Sequence, residues 1–149
     1  MRHLLPTLAL ALAVLSLPAI AQKPEPAPPT SDAVYRAFGE KAGIQAVVDD
    51  FVGRLLGDPR IGVYFKDTNR ARLVELLTDQ FCVETGGPCE YDGAPMDLSH
   101  ADLDIGKAEF NALVEVLQQS MNAKGIPFRA QNGLLARLAP MHRDIITRR

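Results

Sequence analysis

The chain has 149 residues, a formal charge of −2 and no Trp; 47% of it is hydrophobic and only 6% aromatic. With 16 Lys and Arg against 18 Asp and Glu, no basic field favours nucleic acid or an anionic membrane surface. The length gives one core rather than two, and the balance of the chain points to a small or apolar partner.

The opening stretch, MRHLLPTLALALAVLSLPAIAQ, has a basic start at Arg2, an apolar run from Leu8 to Leu17, and Ala19-Ile20-Ala21 before Gln22. This is the layout of a secretory signal segment cleaved after Ala21, and the apolar run is short for a retained membrane span. Residues 1–21 are therefore expected to be a signal peptide that meets a membrane only during export, to the periplasm of a Gram-negative cell or otherwise outside. Residues 22–30 are read as a Pro-rich linker, and residues 31–149 as the folded domain.

Within that domain Val34, Tyr35 and Phe38 share helical spacing before Gly39. Ile44, Val47, Val48, Phe51, Leu55 and Leu56 form the stripe of a second helix closed by Gly57. Thr68 is the expected cap of a third helix, whose Leu73, Leu76, Leu77 and Phe81 lie on one face and which stops at Gly86-Gly87-Pro88. A fourth helix follows Gly106 with Phe110, Leu113, Val114, Leu117 and Met121 inward. A last one after Pro127 carries Leu134, Leu135, Leu138, Met141 and Ile145. No segment shows sustained two-residue alternation, so the fold class is all-α.

Residues 86–104, between the third and fourth long helices, are rich in turn signals yet apolar, with Tyr91, Met96, Leu98 and Leu103 around His100. His100 and His142 are the only histidines after the signal segment. That is too few for a zinc site, which takes three or four protein ligands. A haem iron needs only one, because the porphyrin supplies four nitrogens. Taken by itself, His100 reads as a surface histidine or a loop histidine satisfied by its neighbours.

The segments DDFVGRLLGDPRIGVYF, FCVETGGPCEYDGAPMDLSH and LDIGKAEFNALVEVL together resemble the group I truncated haemoglobins, and the resemblance spans Val34 to Ile146. It implies a two-over-two helical sandwich holding haem b non-covalently. His100 would be the proximal iron ligand, carried on a mostly irregular segment that the Gly-Gly-Pro turn redirects beneath the haem. The residues it places at the cofactor are Phe51, Val52, Phe65, Thr68, Leu73, Leu77, Phe81, Tyr91, Met96, Ile105 and Phe110. No C-x-x-C-H is present for covalent attachment.

The sequence departs from the family on the opposite, distal side. Where many members carry a Tyr and a Gln that hydrogen-bond dioxygen, this chain has Val52 and Leu77, and the usual distal position is Leu73. Helical spacing is expected to turn Gln80 aside. A polar ligand without a donor loses about 1–3 kcal/mol, which is about tenfold to a hundredfold in dissociation, so dioxygen should leave quickly. The family's early Gly-Gly reads Gly39-Glu40 here.

The implied partners are dioxygen, nitric oxide or carbon monoxide and an unidentified reductase. Reversible gas binding is the leading function. A haem enzyme, such as a nitric oxide dioxygenase or weak peroxidase, is the alternative, disfavoured by the absence of a distal acid or base. A haem-free helical interaction module is a third reading. Lys66, Arg70 and Arg72 are candidates for the haem propionates or plain solvated charges. His142 is expected to point away from the iron. Cys82 and Cys89 are a candidate disulfide in an exported chain, worth about 2–3 kcal/mol.

Overall fold

The computed structural model describes residues 32–148; the expected signal peptide and linker lie outside them. Every regular element among the described residues is helical: α1 (Ala33–Ala37), α2 (Glu40–Gly57), a 3-10 turn (Gly62–Phe65), α3 (Arg70–Glu84), α4 (Met96–His100), α5 (Lys107–Ala123), α6 (Phe128–Leu138), a second 3-10 turn (Ala139–Met141) and α7 (His142–Ile145). Helix α2 packs on α3 and on α5, and α3 packs on α6. The four longest helices thus form two layers, a two-over-two sandwich.

The apolar stripe of α2 supplies the centre. Ile44, Val47, Val48, Phe51, Val52 and Leu55 are all buried, against Val116, Leu117 and Met121 of α5 and Leu134 of α6. Each such side chain contributes about 1.5–3 kcal/mol by leaving water. Leu56, on the same expected stripe, is 38% exposed, because it lies about 100° round the helix from Leu55. Phe51 and Phe81 meet with ring centroids 6.3 Å apart and tie α2 to α3.

Both ends of α3 are set locally. Its cap is Asn69, whose side-chain oxygen accepts from the Arg72 amide at 3.0 Å, and not Thr68. The Thr68 amide instead donates to the Phe65 carbonyl, closing the preceding turn and leaving the cap to the next residue. At the other end the Gly86 amide donates to Val83 O and the Gly87 amide to Cys82 O at 2.8 Å, the paired bonds of a Schellman turn. The two glycines are needed for different reasons. Gly86 has φ 87°, which favours a residue without Cβ. Gly87 has no room, since a Cβ there would lie 2.5 Å from the Tyr35 ring and 2.6 Å from Cys82 Sγ.

Two features differ from expectation. The first corner forms with Gly39 at φ 83° and Glu40 at φ 61°, so a glutamate occupies a left-handed position at a cost of about 1–2 kcal/mol. The expected single last helix is interrupted after Leu138, where Pro140 sits in a 3-10 turn. Proline has no N–H and its ring collides with the carbonyl four residues back.

Candidate functional site

A cavity of about 370 Å³ lies between the layers and α4, within the size range of cofactor sites. Phe51 and Leu55 of α2 line it, as do Tyr64, Phe65 and Thr68 at the corner, Leu73, Leu76, Leu77, Gln80 and Phe81 of α3, and Phe110, Leu113, Val114 and Leu117 of α5. Tyr91, Met96, Ser99, His100 and Leu103 close the α4 side, and Leu135, Leu138, Ala139, Met141 and Ile145 the C-terminal side. The walls are mostly hydrocarbon. Ten of the twelve sequence-expected cofactor and iron positions are therefore brought together: Phe51, Phe65, Thr68, Leu73, Leu77, Phe81, Tyr91, Met96, His100 and Phe110.

Val52 and Ile105 are not among the lining residues. Val52 is fully buried in the α2 core, one residue and about 100° round the helix from Phe51, so it backs the wall rather than forming it. Ile105 is held elsewhere by its backbone: its carbonyl accepts from the Thr147 and Arg148 amides, both at 2.9 Å, and its amide donates to Thr147 Oγ1 at 3.0 Å.

His100, half-buried at the end of α4, has its Nδ1 2.7 Å from the Met96 carbonyl and 3.1 Å from Ser99 Oγ. A carbonyl can only accept, so the close contact makes Nδ1 the donor and leaves Nε2 as the nitrogen that could bind a metal. That is the arrangement in which a second partner fixes the tautomer of a metal-binding imidazole. His142 does not line the cavity; it is exposed, with Nδ1 2.9 Å from Ala139 O and its ring edge-on to Phe110.

Facing His100 across the cavity, α3 presents Leu73, Leu76 and Leu77. Gln80 was expected to turn aside and does not. It is 8% exposed and joins this face, because it stands seven residues after Leu73 and three after Leu77, the spacing of one helical stripe. Its Nε2 lies 3.5 Å from Met141 Sδ and 3.8 Å from Met96 Sδ. Tyr91 Oη donates to Ala94 O at 3.3 Å, and burial pushes its phenol pKa up.

The nearby cations already have carboxylate partners. Arg72 pairs with Glu75 at 2.8 Å and Asp92 at 3.0 Å, Arg70 with Asp49 at 3.6 Å, and Lys66 with Asp67 at 4.0 Å. Cys82 and Cys89 are joined by a disulfide across Cα atoms 5.9 Å apart, which ties the end of α3 to the segment leading to α4.

No group of three or more His, Cys, Asp or Glu side chains able to hold a metal ion occurs among the described residues. A single imidazole in a hydrocarbon cavity fits a metal that brings its own equatorial ligands, as a porphyrin does, and the residues present fit that group.

Known proteins similar to this chain are globins. The family model of bacterial-like globins matches residues 33–147. The group 1 truncated hemoglobin GlbN of Mycolicibacterium paratuberculosis is 30% identical over 126 residues, covering 85% of this chain and 89% of that protein. The crystal structure of truncated hemoglobin from Tetrahymena pyriformis in its Fe(III) form superposes with a TM-score of 0.73 at 24% identity, over 76% of this chain and 97% of the other. A 2/2 hemoglobin from Synechococcus, in the cyanomet state with covalently attached heme, gives 0.72 at 21%, over 77% and 98%.

Proposed function

Since the chain belongs to the group 1 truncated haemoglobins of the bacterial-like globin family and is thus a haem-binding globin, we propose that it holds haem b non-covalently, with His100 as the iron ligand, and binds dioxygen, nitric oxide or carbon monoxide reversibly. The observation that carries the reading is the 2.7 Å contact of His100 Nδ1 with the Met96 carbonyl. It engages Nδ1 and leaves Nε2 as the ring nitrogen for a metal. Haem bound there would be held through His100 and would supply an iron able to bind a diatomic ligand reversibly.

The remaining work falls to the chain. Phe51, Phe81 and Phe110 keep water from the macrocycle, and the leucine face of α3 offers a ligand no hydrogen-bond donor. The two N–H groups of Gln80 are directed at thioethers, and the Tyr91 hydroxyl at a carbonyl. A polar ligand is therefore held by about 1–3 kcal/mol less than in a pocket with one buried donor, favouring fast exchange over storage. Export to an oxidising compartment belongs to the same reading, supported by the layout of residues 1–21 and by the Cys82–Cys89 bridge.

The test is His100→Ala. Loss of the haem absorption band, restored by added imidazole, supports the assignment. An unchanged spectrum in that variant, with loss in His142→Ala, overturns it.

A further inference from the structure

A second cavity of about 240 Å³ adjoins the first, and Gln80, Tyr91, Met96 and Met141 line both. Gln80, Met96 and Met141 come from α3, α4 and the second 3-10 turn, and with Tyr91 they form the partition between the two spaces. At its centre is a buried amide with an uncommon set of partners. Gln80 Nε2 carries two N–H groups, and the acceptors placed for them are two thioether sulfurs, Met141 Sδ at 3.5 Å and Met96 Sδ at 3.8 Å. Thioether sulfur is a weak acceptor. A buried amide donor normally finds a stronger one, because leaving it poorly satisfied is costly.

We propose that Met96 and Met141 are a site of oxidation by hydrogen peroxide, and that Gln80 receives the oxygen so introduced. The thioether sulfur attacks one peroxide oxygen and the O–O bond breaks. That oxygen stays on sulfur as a sulfoxide, the other leaves as water once protonated, sulfur is oxidised by two electrons and peroxide is reduced by two. Ordinarily such a step sets a polar S=O among apolar atoms and disrupts packing. Here an N–H already directed at each sulfur becomes the donor of a full-strength hydrogen bond.

The location gives the modification a consequence. Met96 is also the residue whose carbonyl orients His100 at 2.7 Å, so a tighter tie from α3 to Met96 acts on the segment that presents the imidazole. Met121 provides a reference inside the same chain: it is fully buried and lines neither cavity.

The experiment treats the protein as purified with hydrogen peroxide and follows oxygen incorporation by peptide mass mapping, with the thermal midpoint measured before and after. Oxygen is expected on Met96 and Met141 and not on Met121. The midpoint of the oxidised wild type should fall less than that of equally oxidised Gln80→Leu. Incorporation at Met121 as fast as at the other two overturns the proposal, and so does an oxidised wild type that loses as much as oxidised Gln80→Leu. Should Gln80→Leu not fold, Met96→Leu and Met141→Leu each remove one oxygen from the total, and a total unchanged in both contradicts the assignment.

Discussion

The two walls that face each other across the cavity are built on opposite plans. Helix α3 runs fifteen residues, Arg70–Glu84, with its own cap at Asn69 and a glycine-closed end, so its backbone bonds hold it straight. Helix α4 has five residues, Met96–His100, and no side-chain cap. It lies far below the length at which a helix persists unaided. It is held from outside: by the disulfide upstream, by Arg72 on Asp92, and by packing against α7. Downstream, the Thr147–Arg148 tail is tied to Ile105, and Arg148 to Glu109 at 2.6 Å. The wall with its own rigidity carries leucines; the wall that depends on its neighbours carries the imidazole. Changes around α4 should therefore alter whether haem is retained, and changes on α3 should alter how a ligand is held.

The largest expected effect is at His100. Its replacement by Ala should remove stable haem retention, read as loss of bound haem on a desalting column, while His142→Ala retains it. Next comes the tie that restrains the approach to α4. Replacing Cys82 and Cys89 by Ser should lower unfolding free energy by about 2.5 kcal/mol on the loop-entropy estimate, measured by denaturant titration. An equal loss in the wild type on adding a dithiol reductant would assign the effect to the bridge itself.

A smaller effect should appear on the other wall and only in ligand kinetics. Leu77→Gln places a donor on the cavity face and should slow dioxygen dissociation about tenfold, the size of one buried hydrogen bond, with carbon monoxide release changing less. Val52→Tyr should not reproduce it, because Val52 is packed in the α2 core, where a larger side chain costs about 1–3 kcal/mol of stability instead. Stopped-flow dissociation of both variants separates the cavity face from the layer behind it.

The division between legible and illegible residues follows the same physics. Helix faces made only of hydrocarbon could be read from their spacing: Leu73, Leu76, Leu77 and Phe81 on α3, and Phe110, Leu113, Val114 and Leu117 on α5, all reach the cavity. For Gln80 the spacing from Leu73 and Leu77 points aside, yet the seven-residue step from Leu73 returns to the same stripe and Gln80 lines the cavity. Val52 enters through its match to the family's distal tyrosine position, and as a short side chain it lies buried in the α2 core behind the lining residues. The cap at Asn69 rather than Thr68 turned on which amide the preceding turn had already used. Pro140 did carry a signal for the break after Leu138, hidden by the apolar period running through it. The thioether partners of Gln80 come from segments 16 and 61 residues away, and no local pattern encodes such a meeting.

The smallest expected effect concerns acid. The Arg148 guanidinium beside Glu109 holds that carboxyl below its ordinary value of 4.5. A depressed carboxyl contributes stability that is present above its unfolded value and is lost as pH falls through the folded one. The gap in thermal midpoint between wild type and Glu109→Gln should therefore be constant near neutrality and close below about pH 4. A gap that persists into stronger acid would remove this pair from the supports of the α4 wall.

The most direct test of a His100-ligated haem cavity is the absorption spectrum of the purified ferrous protein before and after carbon monoxide. The expected result is an intense haem band that shifts on adding the gas and is absent in His100→Ala until imidazole is supplied. A folded, colourless chain that takes up no haem when it is offered would contradict it.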